Sequence, residues 1–135
     1  MDGVLNSGYY CRRNNVVRWL EKDKLLLVKK LVIETNALIV LTSYRCQFSE
    51  QKRRIRDELK RYGIDVYGVI PDVNDKNAGI RRYLERHEDI ENFVIIDDGD
   101  FDFETTFPNH VIQTTQWWGL KRHHIVKAKK LLLKE

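Results

Sequence analysis

At 135 residues, 42% hydrophobic and 33% charged with a net charge of +4, the chain is expected to form one packed domain over residues 1–135. That composition excludes a disordered or low-complexity polypeptide. No apolar run approaches the ~18 residues of a membrane helix, and the Met1-Asp2 start lacks the basic-then-apolar profile of a secretory signal. Cys11 and Cys46 make a poor case for a disulfide framework and have no metal-ligand spacing, so a reducing cytoplasm is the expected location.

In chain order, Asp23 to Thr35 reads as a helix with Leu27, Leu31 and Glu34 on one side and Val28 and Val32 adjacent. Ala37 to Leu41 is a β-rich apolar run bounded by Asn36 and by Thr42-Ser43. Ser49 is placed as the N-cap of a helix reaching Tyr62, in which Ile55, Leu59 and Tyr62 repeat at helical spacing before Gly63 supplies a left-handed stop. Val66 to Ile70 reads as a second strand, ended by Pro71. Asn77 to Arg86 is helical, with Ile80, Tyr83 and Leu84 on one face. Phe93 to Ile96 is a strand running into Asp97-Asp98, and His110 to Gln113 is a shorter, more polar strand nearer a sheet edge. A last helix from about Leu120 lines up Leu120, His124, Ala128 and Leu131, with Ile125 and Leu132 alongside. Continuous apolar strands alternating with helices imply right-handed crossovers and an α/β fold, a three-layer Rossmann-like parallel sheet without internal repeats.

Open sheets of this kind gather their chemistry at the carboxyl ends of the strands. Asp2-Gly3-Val4 lies at the start, Thr42-Ser43 follows the Ala37–Leu41 run, Lys76 opens a helix, and Asp97-Asp98 ends the Phe93–Ile96 run. Taken singly these are weak signals: an acidic pair after a strand is as often a turn and helix cap, Thr-Ser there is usually a cap, and a lone lysine is usually solvated. In order, the set resembles the four-part constellation of the haloacid-dehalogenase (HAD) superfamily. Further matches are Asp-Gly-Val-Leu-Asn-Ser, Asn36-Ala37-x-Ile39-Val40-Leu41-Thr42-Ser43-x-Arg45, Ile95-Ile96-Asp97-Asp98-x-Asp100-Phe101, and Gln113-Thr114 with Gly119-Leu120. Together they resemble the small HAD group, without a cap domain, that is linked to Swiss army knife RNA repair proteins.

The resemblance implies a Mg²⁺-dependent phosphohydrolase acting on a phosphate monoester. A carboxylate nucleophile would divide hydrolysis into two steps, and the metal would screen phosphate charge. Asp97 and Asp98 would hold Mg²⁺ together with the backbone carbonyl of Asp2, since this hard cation takes oxygen ligands. The Asp2 side chain would protonate the leaving oxygen and then activate water. Thr42 would hydrogen-bond a phosphoryl oxygen, Lys76 would neutralise excess negative charge, and Ser43 and Arg45 would hold substrate phosphate.

In the Asp-x-Asp-Gly-Val signature Met1 takes the x position, so the nucleophile and the central first strand are expected ahead of Met1. On that expectation the chain as it stands is inactive, and its sheet is completed by Val16-Val17 or by a homodimer partner. The alternative is a catalytically dead module that binds phosphate or nucleic acid. Lys52, Arg53, Arg54, Arg56, Lys60 and Arg61 on one helix, and Lys121, Arg122, Lys127, Lys129, Lys130 and Lys134 on the last, fit either a solvated face or an RNA or DNA end. Trp117-Trp118 and Tyr9-Tyr10 divide likewise between edge packing and base stacking. Asp100 and Asp102 extend the acidic run, read as a solvated loop ahead of metal binding through water, and His123-His124 are given no role.

Overall fold

The computed structural model describes residues 4–8, 19–42, 44–71, 74–99 and 101–134. Helix α1 (Lys22–Thr35) ends where Asn36 adopts a left-handed conformation and its N–H returns to the Val32 carbonyl. Strand β1 (Ile39–Leu41) follows, then a short 3₁₀ turn (Tyr44–Gln47), helix α2 (Ser49–Arg61) and strand β2 (Val66–Val69). Helix α3 (Lys76–Arg86), strand β3 (Ile95–Asp97), the single-turn helix α4 (Phe103–Thr106), strand β4 (Val111–Gln113) and helix α5 (Arg122–Leu133) complete the order.

Every helix and strand expected from the apolar pattern is present, with ends shifted by a few residues. Ser49 is the first helical residue of α2 rather than its cap, because Phe48 before it carries the extended cap backbone. Gly63 does adopt φ +76°, the left-handed stop, and its N–H bonds the Lys60 carbonyl at 2.9 Å. The buried stripe of α1 is Leu25, Val28 and Leu31, whereas Glu34 is exposed and Leu27 half-buried. Leu25-Leu26-Leu27-Val28 offers no unique apolar stripe, so packing against α5 selects the face; Lys24 Nζ reaches the Leu120 carbonyl there at 2.6 Å.

The strands form two parallel pairs, β1 with β2 and β3 with β4. That is an α/β arrangement of short parallel strands, coarser than the continuous three-layer sheet expected from the sequence. A continuous sheet needs a strand bonded to both pairs, and none is found among the described residues. Parallel neighbours require crossovers, which α2 supplies to the first pair and α4 to the second. Side chains along the strands alternate between two apolar clusters. Leu41, Ile96 and Ile112 join Leu25, Ile55, Leu59, Ile125 and Ala128 from α1, α2 and α5. Val40, Ile95 and Val111 pack instead on Ile70, Ile80, Phe103 and Phe107, which come from around α3 and α4.

Residues 4–8 dock on the turn that leaves β4. Leu120 N–H donates to the Val4 carbonyl at 2.9 Å and Gly8 N–H to the Gln116 carbonyl at 3.0 Å. Gly119 sits at φ +67°, and a Cβ there would come within 2.5 Å of the Asn6 carbonyl oxygen, so only glycine allows this approach. Ser7 Oγ donates to Glu21 Oε1 at 2.9 Å and ties the same segment to the start of α1.

Candidate functional site

The site is built around Asp97, the last residue of β3. Its backbone is fixed on the β4 side, paired with Gln113 and accepting the Thr114 N–H at 2.9 Å. Its side chain is held from two directions. Lys76 Nζ lies 2.7 Å from Oδ2, and the Gly99 N–H donates to Oδ1 at 2.8 Å. Both charged side chains are largely covered, with 14% of Lys76 and 9% of Asp97 exposed. Asp75 positions Lys76 by capping α3, its Oδ1 accepting the Ala78 N–H at 3.1 Å. Lys76 therefore projects from the first residue of a capped helix onto the end of a strand 21 residues away.

Electrostatics divide the acidic pair. Burial pushes the Asp97 carboxyl up, but the hydrogen bond from Lys76, the Gly99 N–H, the ammonium charge and a hydrogen bond with Asp98 outweigh it and hold it below its ordinary value. Asp98 moves the other way, raised by burial first and then by the hydrogen bond and charge of Asp97. The two shifts are opposite, so Asp97 gives up its proton more readily than Asp98. Two crowded carboxyls of this kind offer hard oxygen donors, and a divalent cation would relieve their mutual repulsion, so the residues fit Mg²⁺ in ligand type. No group of three or more His, Cys, Asp or Glu gathers into a metal cluster among the described residues.

Thr42 stands half-buried directly after β1, at the carboxyl end of its strand as Asp97 is at that of β3. Asp2 and Ser43 lie outside the described residues, as do Tyr9, Tyr10, Val16, Val17, Asp100 and the Arg45 side chain. The expected constellation is thereby joined at Lys76 and Asp97-Asp98. Two neighbours were not expected. Gly99 supplies a backbone donor to Asp97, and the Phe101 ring lies 4.9 Å from Lys76 Nζ while its carbonyl accepts the Asn77 amide. A glycine and an aromatic just after an acidic pair are the only sequence signals that could have marked them.

Trp117 and Trp118 are 41% and 44% exposed on the turn after β4, edge to face with ring centroids 6.3 Å apart. Lys121 Nζ lies 4.6 Å from the Trp118 ring. Of the two basic helices, α2 engages several of its exposed cations with the protein's own surface: Arg54 lies over Trp19, Arg56 donates to the Val66 carbonyl and Arg61 pairs with Glu58. On α5, Arg122, Lys127 and Lys130 are exposed.

The acid–lysine pair, with a second acid beside it, lies at the carboxyl end of a parallel strand, where open α/β proteins place their ligand sites. A family model described as the HAD domain in Swiss Army Knife RNA repair proteins matches residues 1–125, and the chain belongs to that family. No curated protein and no solved structure matches it. No helix among the described residues is long and apolar enough to cross a membrane.

Proposed function

We propose that this chain is a Mg²⁺-dependent phosphohydrolase domain acting on a phosphate monoester at a nucleic-acid end. The observation that carries the reading is the covered Lys76–Asp97 pair, 2.7 Å long, with Asp98 beside it. Asp97 and Asp98 would hold Mg²⁺, which, when bound, screens phosphate charge and draws electron density from the phosphoryl group. Lys76 keeps Asp97 ionised and oriented, and adds positive charge where a phosphoryl dianion would lie. Thr42 offers a hydroxyl to a phosphoryl oxygen. Asp2 exchanges a proton with the leaving oxygen and then with water, in the acid/base role of its motif. The exposed tryptophans and the α5 cations favour a nucleic acid over a small metabolite as the bearer of the phosphate. We further propose that β1–β2 and β3–β4 are the two halves of one three-layer sheet, joined by a strand leading into Asp2.

The test uses a polypeptide in which a Phe-Leu-Asp-Ile-type strand leads into Asp2 and supplies the first Asp of the motif. Mg²⁺-dependent phosphate release from an aryl phosphate and from a phosphorylated oligoribonucleotide is expected. Lys76→Met and Asp97→Asn should each lower kcat by roughly a hundredfold. Absence of turnover with any divalent metal, or an Asp97→Asn variant as active as its parent, rejects the enzyme. The remaining reading is then a domain that binds phosphate or nucleic acid without turning it over.

A further inference from the structure

Beside the acid–lysine pair a groove of about 210 Å³ runs between Phe101 and α5. Phe103 and Val111 give it apolar lining, and Gly99, Gln113 and Lys127 complete the contact surface. Glu104 also reaches it, but this carboxylate already accepts the Asn109 N–H at 3.0 Å. The volume is below the roughly 300 Å³ at which pockets begin to enclose a drug-sized ligand, which favours one planar ring system over a whole cofactor.

Several contacts hold the groove's aromatic wall in place. The Phe101 ring packs on Gly99 so closely that a Cβ there would fall 2.3 Å from its edge, and buried Phe103 backs it with centroids 5.4 Å apart. The ring nevertheless remains 41% exposed. Lys76 touches both it and Asp97, at 4.9 Å from the ring centroid and 2.7 Å from the carboxylate. An aromatic surface therefore stands one lysine away from the site proposed for phosphate. Lys127, exposed on α5, adds a cation on the groove's other side.

We propose that this groove seats the base of the terminal nucleotide of a phosphorylated single strand. The base would stack on Phe101, Gln113 would offer an amide to its edge, and Lys127 would meet the next backbone phosphate. The inference rests on the phosphohydrolase reading for the position of the terminal phosphate. Position favours this occupant: the half-exposed Phe101 ring stands one lysine away from the proposed phosphate site, and Lys127 offsets the charge of Glu104 among the described lining residues.

The experiment measures binding of two phosphorylated oligoribonucleotides by fluorescence anisotropy, one with a terminal base and one abasic at that nucleotide. Stacking of one base contributes about 1–3 kcal/mol, so the wild-type chain should prefer the base-bearing strand by roughly tenfold. Phe101→Ala should remove the preference by weakening base-bearing binding more than abasic binding, and Phe101→Leu should do the same while keeping the apolar bulk. No preference in the wild type, or a preference that survives in Phe101→Leu, overturns the inference. Aryl-phosphate turnover by the strand-extended protein reads the phosphate site alone. If that turnover is absent while the base preference holds, the enzyme reading falls and the groove stands; the reverse result leaves the enzyme and removes the groove.

Discussion

Lys76 is placed against a local rule. A positive side chain in the first turn of a helix opposes the helix dipole at a cost of roughly 0.3–1 kcal/mol, and α3 opens with one. The contact with Asp97 offsets that cost, and the two partners are not equivalent. Asp97→Asn keeps an oxygen for the Gly99 N–H and leaves an ammonium that can swing to solvent on a flexible stem. Lys76→Met keeps the volume but leaves a covered carboxylate held by the Gly99 N–H and Asp98, without the ammonium that offset its charge. Removing one partner of a buried pair costs about 3 kcal/mol when the other stays charged. Thermal unfolding at pH 7 should therefore show Lys76→Met melting roughly 10 °C below the wild type and Asp97→Asn falling by much less. Equal losses would mean that the pair is not desolvated enough to matter.

At the start of helix α5 the third residue, His124, reaches back to the cap residue Lys121, where a Glu or Gln is usual. The Lys121 N–H donates to His124 Nδ1 at 2.9 Å, which requires an unprotonated ring nitrogen. Burial first, and then the charges of His123, Lys121, Lys24 and Lys127, lower His124 from 6.5 to about 4. Between those values the unfolded chain binds a proton that the folded chain does not, so stability is full above pH 6.5 and is lost as pH falls towards 4. The ring is partly exposed, and solvent screening limits the effect to about 1 kcal/mol. Glutamine at this position can accept the same N–H without titrating. His124→Gln should flatten stability between pH 4 and 6.5 in urea titrations, and parallel curves for the two proteins would refute the cap. The cap was not legible in the sequence, because His123-His124 has neither metal spacing nor the Ser/Thr/Asp/Asn chemistry of an ordinary N-cap. The strands were legible, since runs such as Ile39-Val40-Leu41 carry β-branched residues and end in turn formers. The face of α1 was not, because its apolar quartet fits more than one stripe. Lys76 and Asp97-Asp98 were marked by their order in the chain, but their contact spans two elements, and the Phe101 groove depends on packing by Gly99 and on Lys127 of α5, which no local pattern encodes.

Across the whole molecule a net charge of +4 is too small to dictate a partner, and its distribution is more informative. The guanidinium groups of α2 spend part of their reach on Trp19, the Val66 carbonyl and Glu58, whereas Lys121 of the α5 segment lies on the exposed Trp118 ring. A single strand bound at that end of the molecule would receive two separable contributions. Phosphate contacts release counterions, so log K falls with log salt at about 0.7 per neutralised phosphate for single strands. Base stacking on the tryptophans carries no such dependence. Binding of an oligoribonucleotide should therefore weaken between 50 and 200 mM salt with a slope of roughly −2 for about three contacts. Lys121→Ala combined with Lys130→Ala should make that slope shallower. Trp118→Ala should lower affinity by about 1–3 kcal/mol at every salt concentration and leave the slope unchanged. Affinity independent of salt would remove nucleic acid as the partner. A tryptophan variant that altered the slope alone would show that Trp118 acts by holding Lys121 in position and not by stacking a base.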